Sequence, residues 1–469
     1  MVKFTDFTYF ILLLLIVAAY YNTPRPKKWV LLLALSVLFN ISWSGYYVLV
    51  WFGLTGICYL TGKYLANPAH SKKKRKTLLV TAVTVSLLPL LFFKYLIPIN
   101  NSLSPVVLNW LAPIGISYYT FLIIGYLVDV HRKYIKPENH FGYLALYLGF
   151  FPTMLAGPLE RGRQLIPQLR NPVAYDPDNI KAGIYFIVWG LFKKMVLAAR
   201  FADHVNPVFD RPGEYTSFSV LLAVLLFSIQ LYCDFSGYCD IATGSARLLG
   251  IKLSKNFANR YYFTPSRTES WNLWNITVTS WFRDYAFFSI SKGVTSKTRL
   301  EFNRLLTFAI TGLWHGPSWS FLIWGFLQWF YINFEMRTKY IWERMYGNIG
   351  LTIGSQAHKT LQIIVRMLTG TLIMGWFRAA ELNSGLRLYS AMFGFESGSL
   401  SMITSGFGLT LVLFLVLDLF NYKMGEREDI ASFLMKKGTM QRGLSFALLV
   451  QIVLLFGQTK VANFYYIQF

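Results

Sequence analysis

The sequence predicts an all-α polytopic membrane protein, and three observations carry that prediction. Hydrophobic residues form 54% of the chain and charged residues only 14%, where an average soluble domain carries roughly a quarter charged residues. Apolar segments recur along all 469 residues. The lysines and arginines gather in short loops between those segments, as the positive-inside rule and anionic head groups require. That placement decides how the net charge of +23 is read: membrane lipids are the expected partner, and nucleic acid is not. Mean hydropathy is +0.41, and the 18% aromatic content suits interfacial belts and an aromatic-lined interior.

In chain order the apolar segments cover residues 7–21, 29–41, 46–65, 77–97, 106–130, 141–155, 182–199 and 218–232. They continue at 306–334 (broken at Pro317), 361–377, 409–420 and 443–456. The first is no signal peptide, because Lys3 and Asp6 cancel ahead of it and it leads straight into another apolar span. A full crossing takes roughly 20 residues, so short segments beside Gly or Pro predict tilted, re-entrant or buried pieces. About 11 crossings with one or two re-entrant pieces are expected. No repeat or low-complexity tract interrupts the chain, which predicts one integral membrane domain over 1–469. Cys58, Cys233 and Cys239 stand in apolar surroundings without zinc or disulfide spacing, and are expected to be core residues. No metal site is expected.

The loop charges predict orientation. Arg25, Lys27 and Lys28 follow the first span; Lys72, Lys73, Lys74, Arg75 and Lys76 the third; Arg132, Lys133 and Lys136 the fifth. These alternate loops share one side, expected to be cytoplasmic with the N-terminus outside. The polar stretch 251–305 carries nine basic residues against three acidic ones and belongs to the same face. Its many aromatics, Trp271, Trp274 and Trp281 among them, predict amphipathic interfacial helices rather than a disordered loop.

One stretch concentrates the chemistry: Gly312-Leu313-Trp314-His315-Gly316-Pro317. It sets a single imidazole within an apolar, aromatic segment, where an ionisable group is a functional candidate by default. The plain reading is a core histidine bonded to a carbonyl. Pro317 is expected to end or kink the helix just after His315. Gly312 and Gly316 admit a close neighbour, either a helix or a substrate. The other histidines, His70, His131, His140, His204 and His358, fall in polar or interfacial loops and are expected to be mostly solvated. Asp234 and Asp240 flank a Ser-Gly-Tyr sequence. They admit metal or acid–base work, but a helix-breaking turn held by Asx hydrogen bonds is the reading preferred. Arg283-Asp284 suits either a donor phosphate or an internal ion pair. Glu160 and Arg161 end a Gly-Pro turn and are candidates to pair with each other.

Several stretches then stand in a specific order: PIGISYYTF at 113–121, YLVDV at 126–130, FFPTMLAGPLER at 150–161, DFSGYCDIA at 234–242 and KNF at 255–257. They continue with WNLWN at 271–275, WFRDY at 281–285, GLWHG at 312–316, WFRA at 376–379 and YIQF at 466–469. Together these resemble the membrane-bound O-acyltransferase (MBOAT) family, in its bacterial branch of alginate O-acetylation and teichoic-acid D-alanylation. The resemblance is strongest over residues 105–380. It implies a helical bundle around a central tunnel with His315 as catalytic histidine at the narrow point. Trp314, Trp271, Trp274, Arg283, Asp284 and Asp234 become candidates for substrate contact. Two positions depart from the bacterial branch. Asn275 stands where a second histidine usually follows Trp-x-x-Trp, and Gln328 replaces the histidine of a Trp-Gly-x-x-His pattern. The first remains a catalytic candidate, because an amide can donate to a developing oxyanion without a charge to desolvate; its bland alternatives are a helix cap or an interhelical hydrogen bond. Gln328 remains a substrate-contact candidate.

The function expected is transfer of an acyl group, acetyl above all, from a cytoplasmic thioester for O-acetylation of an exopolysaccharide or cell-wall glycan. The donor, acetyl-CoA or an acyl carrier protein, is a substrate; no bound cofactor is expected. Acyl transfer to a hydroxyl needs a base near neutral pH, the role imidazole fills. Without a Gly-x-Ser-x-Gly elbow or phosphate loop in the chain, an extracytoplasmic acetyltransferase or other glycan-modifying partner is expected to finish the transfer. The expected location is the bacterial inner membrane. A D-alanyl exporter fed by an acidic carrier protein is the alternative within chemistry. A polytopic transporter or flippase is the alternative from another class, though polar segments concentrated in the centre rather than in two matching halves count against it.

Overall fold

The computed structural model describes residues 4–99, 112–348, 350–379, 381–395, 397–403, 406–425 and 428–458. The described chain is helical; besides helices and turns there is one isolated bridge, Tyr215 to Leu400. Among the described residues, seven helical segments are long and apolar enough to cross a membrane: Arg25–Ala66, Lys72–Ile99, Pro177–Asp210, Ser217–Leu248, Gln356–Arg378, Phe407–Met424 and Thr439–Phe456. The chain therefore has the composition and helices of a polytopic membrane protein. It divides into two compact units, residues 1–191 with 238–254 and residues 192–237 with 255–465, the last four residues lying outside those described.

The first unit contains α1 (Phe7–Asn22), α2 (Lys28–Ser44), α3 (Val48–Ala66), α4 (Lys72–Leu91), α5 (Ile116–His131), α6 (Phe141–Gly149), α7 (Gly162–Arg170) and α8 (Pro177–Leu191). Helix α3 packs against α4, α5 and α6, and α2 lies along α6. The sequence expectation of a span over 141–155 is half met. Helix α6 ends at Gly149 because Pro152, Gly157 and Pro158 cannot continue it, and 150–161 runs as buried irregular backbone. Such backbone needs partners: Ser36 Oγ of α2 accepts from Phe151 N at 3.2 Å, and the Glu160 carbonyl accepts from Tyr147 Oη at 3.1 Å. The Glu160 carboxylate takes the backbone N–H and the hydroxyl of Ser254, and Arg161 acts on it electrostatically. In the loop after α5, Glu138 accepts from Arg170 Nε at 2.8 Å; burial pushes its carboxyl up, but the guanidinium and the His140 N–H outweigh this and hold it below the usual range.

A continuous helix, α9 (Ala199–Asp210), follows a π-helical turn at Phe192–Ala198; next comes α10 (Ser217–Leu248). Helix α10 corrects the sequence reading at Asp234. No turn interrupts 234–240, because the gain from burying an apolar face overrides the local turn preference of Asp, Ser and Gly. The three cysteines are buried and form no disulfide among the described residues, as expected.

The second unit also holds the short helices α11 (Arg267–Trp271) and α12 (Ile276–Trp281), then α13 (Lys297–His315), α14 (Trp319–Asn348) and α15 (Gln356–Arg378). After them come α16 (Leu382–Met392), α17 (Phe407–Met424), α18 (Ile430–Met435) and α19 (Thr439–Phe456). Helix α13 starts nine residues before the apolar run at 306, so the end of the polar stretch is part of a long helix. His358, expected to be solvated, is buried, with Nδ1 accepting from Gly354 N at 3.1 Å. The pair α13 and α14 is joined at Gly316-Pro317-Ser318 and packs backbone against backbone. A Cβ at Gly312 would strike the Phe321 carbonyl of α14, and one at Gly325 the Phe308 carbonyl of α13. The glycines therefore admit a neighbouring helix backbone. Gly312→Ala is expected to destabilise the protein by about 1–3 kcal/mol through overpacking. A melt in detergent micelles checks it; an unchanged midpoint would show that the helices can part freely.

Candidate active site

Helix α13 delivers His315 at its last position. Gly316 caps the helix, with its N–H donating to the Leu313 carbonyl, and Pro317 prevents continuation. The imidazole is buried within four aromatic rings. Trp314 and Phe377 lie with centroids 4.7 Å away, Trp324 at 5.3 Å and Phe321 at 5.9 Å. Trp324 and Phe377 stand nearly perpendicular to it, at 87° and 78°. Such a cage excludes water and fixes the ring, two conditions under which imidazole serves as a positioned base.

Trp271 forms a second layer, 6.0 Å from Trp324 and 5.6 Å from Phe308. Gln328, one turn along α14 from Trp324, is fully buried; its Oε1 accepts from Arg267 Nε at 2.9 Å and Nη2 at 2.6 Å. His315, Trp314, Trp271 and Gln328 thus belong to one connected region.

The remaining candidates make other contacts. Trp274 joins a different cluster, 5.1 Å from Phe257 and 5.0 Å from Tyr261. Asn275 precedes α12 in the left-handed region at φ 43°, and its side chain makes no capping bond. Its Oδ1 instead accepts from Asn256 Nδ2 at 3.0 Å, and Asn256 Oδ1 accepts from Thr277 N and Oγ1. Asn275 is buried with no hydrogen bond to His315. Asp234 is paired with the buried Lys194. Arg283 pairs with its neighbour Asp284 at 3.0 Å, largely exposed; of the two readings of that dipeptide, the ion pair is formed.

The model of the MBOAT, membrane-bound O-acyltransferase family, matches residues 132–343. A probable alginate O-acetylase of Azotobacter vinelandii is 31% identical over 410 residues, covering 84% of this chain and 78% of that protein. The chain belongs to the membrane-bound O-acyltransferase family. Other relatives include a peptidoglycan O-acetyltransferase of Helicobacter pylori, 28% identical over 82% of this chain and 77% of its own length. A teichoic acid D-alanyltransferase of Bacillus subtilis is 26% identical over 63% of this chain and 76% of that protein. The protein is accordingly an acyltransferase of the membrane-bound O-acyltransferase family with O-acetyltransferase homologues.

Sequence reasoning overlooked several residues of this region in the acyltransferase. Phe377 stood in the WFRA stretch and Trp324 in an apolar run, neither with a role assigned, and only tertiary packing brings them onto the imidazole. Asn256 sits 19 residues before its partner, without a spacing rule to link them. Arg366 could have been found: it is a guanidinium inside the apolar run 361–377, where a charge is costly unless used.

Proposed function

We propose that the chain moves an acetyl group from a thioester donor at the cytoplasmic face of the bacterial inner membrane to an acceptor hydroxyl on the far side, for O-acetylation of an exopolysaccharide or cell-wall glycan. The observation that carries this reading is the buried imidazole of His315 held in an aromatic cage at a helix break. The acceptor oxygen attacks the thioester carbonyl carbon, and His315 takes the hydroxyl proton. The C–S bond then breaks, and the thiolate leaves with that proton as thiol. The donor is acetyl-CoA or an acyl carrier protein, and a separate extracytoplasmic partner places the acetyl group on the polymer. Acetyl is preferred because the O-acetylating relatives align over 84% and 82% of the chain, against 63% for the D-alanylating one. The D-alanyl reading keeps one observation in its favour, the basic stretch at 251–305, which would suit an acidic carrier protein.

Inverted membrane vesicles containing the protein and given acetyl-labelled CoA outside are expected to accumulate acetyl ester inside. Absence of labelled ester with acetyl donors, together with labelling from a D-alanyl carrier thioester, would replace acetyl by D-alanyl.

A further inference from the structure

Two buried arginines of the second unit have no part in the proton transfer. Arg267 opens α11, and Arg366 lies within α15. Gln328 Oε1 takes two nitrogens of Arg267, and the third, Nη1, lies over Gly370, where a Cβ would come within 3.0 Å of it. Gly370 is one turn along α15 from Arg366, so both guanidinium groups lie along one face of that helix. Arg366 Nη2 donates to the Tyr262 carbonyl at 2.9 Å. Its Nε, and the Nε2 of Gln328, are buried without a hydrogen-bond partner among the described residues. No carboxylate among those residues forms an ion pair with either guanidinium. Glu335 accepts from the Arg267 backbone N–H at 3.0 Å and acts on both guanidinium groups only at longer range, as Asp418 does on Arg366.

Two like charges buried together with donors left over are costly unless an anion completes them, and guanidinium donors match phosphate oxygens. We propose that Arg267, Arg366 and the Gln328 amide form a phosphate-ester site, filled by the phosphate of the thioester donor's pantetheine arm. This rests on the thioester reading above. The spacing supports it: Phe377, which packs on the His315 ring, follows Arg366 on α15 by roughly 16 Å of helix rise. A pantetheine arm has a similar reach, so a phosphate held at Arg366 sets the thioester at the imidazole. A phospholipid head group shares the same chemistry.

Equilibrium binding of 4′-phosphopantetheine and of pantetheine to the full-length protein in detergent tests the site, with native mass spectrometry counting retained phospholipid. The phosphorylated probe is expected to bind about 10- to 100-fold tighter, the scale of charge-assisted hydrogen bonds. Arg366→Gln and Arg267→Gln should each remove most of that preference, and Arg366→Lys should keep part of it. No preference in the unsubstituted protein, but a phospholipid lost in Arg366→Gln, keeps the phosphate site and assigns it to a head group. A preference that survives both glutamine variants, or equal binding of the probes with unchanged lipid, overturns the proposal. If the glutamine variants do not fold, Arg366→Lys and Arg267→Lys take their place, and a preference unmoved by both is the overturning result. Binding is read without turnover, so failure of acetyl transfer and failure of this site are separate outcomes.

Discussion

His315→Ala is expected to abolish acyl transfer. A positioned general base contributes about 10²- to 10⁴-fold, and alanine can neither accept the hydroxyl proton nor return it to the thiol. Truncation also opens a hole among Trp314, Trp324 and Phe377. Deleting a packed aromatic-sized side chain costs about 3–5 kcal/mol in a dense core, so loss of activity alone would not separate chemistry from collapse. His315→Gln fills more of the space and keeps hydrogen-bonding atoms, but its amide takes no proton near neutral pH. Turnover per folded molecule, with folding scored by melting and size-exclusion profile, should fall in both variants by a similar factor. A glutamine variant with near-normal turnover would remove His315 as the base.

Asn275→Ala is the second large effect, and it has two separable parts. The residue adopts φ 43° and ψ 51°, a conformation Asn tolerates and Ala resists by roughly 1–2 kcal/mol. Its loss also removes the hydrogen bond that Asn275 Oδ1 accepts from the buried Asn256 Nδ2, costing about 0.5–1.5 kcal/mol. A plain capping role would predict a side-chain bond to the following helix, which Asn275 does not make; the stability cost therefore comes from the αL backbone and the Asn256 bond. If the amide NH₂ serves the developing oxyanion, turnover should fall by about 10²- to 10³-fold as well. Asn275→Gly separates the two, since glycine accepts the backbone conformation but also lacks the amide. Equal loss of turnover per folded molecule in both variants supports an oxyanion donor. A glycine variant with normal turnover would confine Asn275 to tethering α12 through Asn256.

How far each residue's role was legible depends on how local its cause is. The helix break at His315 is written in Gly316 and Pro317, because ring geometry and the missing N–H act within one turn. The start of α19 at Thr439 and its end at Phe456 lie within four residues of the apolar run 443–456, since an exposed apolar helix needs only its own backbone bonds. Membrane character is likewise a property of composition and loop charge.

Tertiary structure decided the rest, and the physical reason is the same in each case. At Asp234 the local preference for a turn lost to the burial of a 32-residue helix, and the carboxylate found its partner in Lys194, 40 residues earlier. The segment after Gly149 gave up its helix, and the Phe151 N–H found its acceptor in the Ser36 hydroxyl of α2, 115 residues away. The aromatic cage of His315, the Asn256–Asn275 bond and the alignment of Arg267 with Arg366 each join side chains from separate parts of the chain. Long-range packing selects such partners by shape and by the cost of leaving buried donors unmet, and no spacing along the chain encodes that.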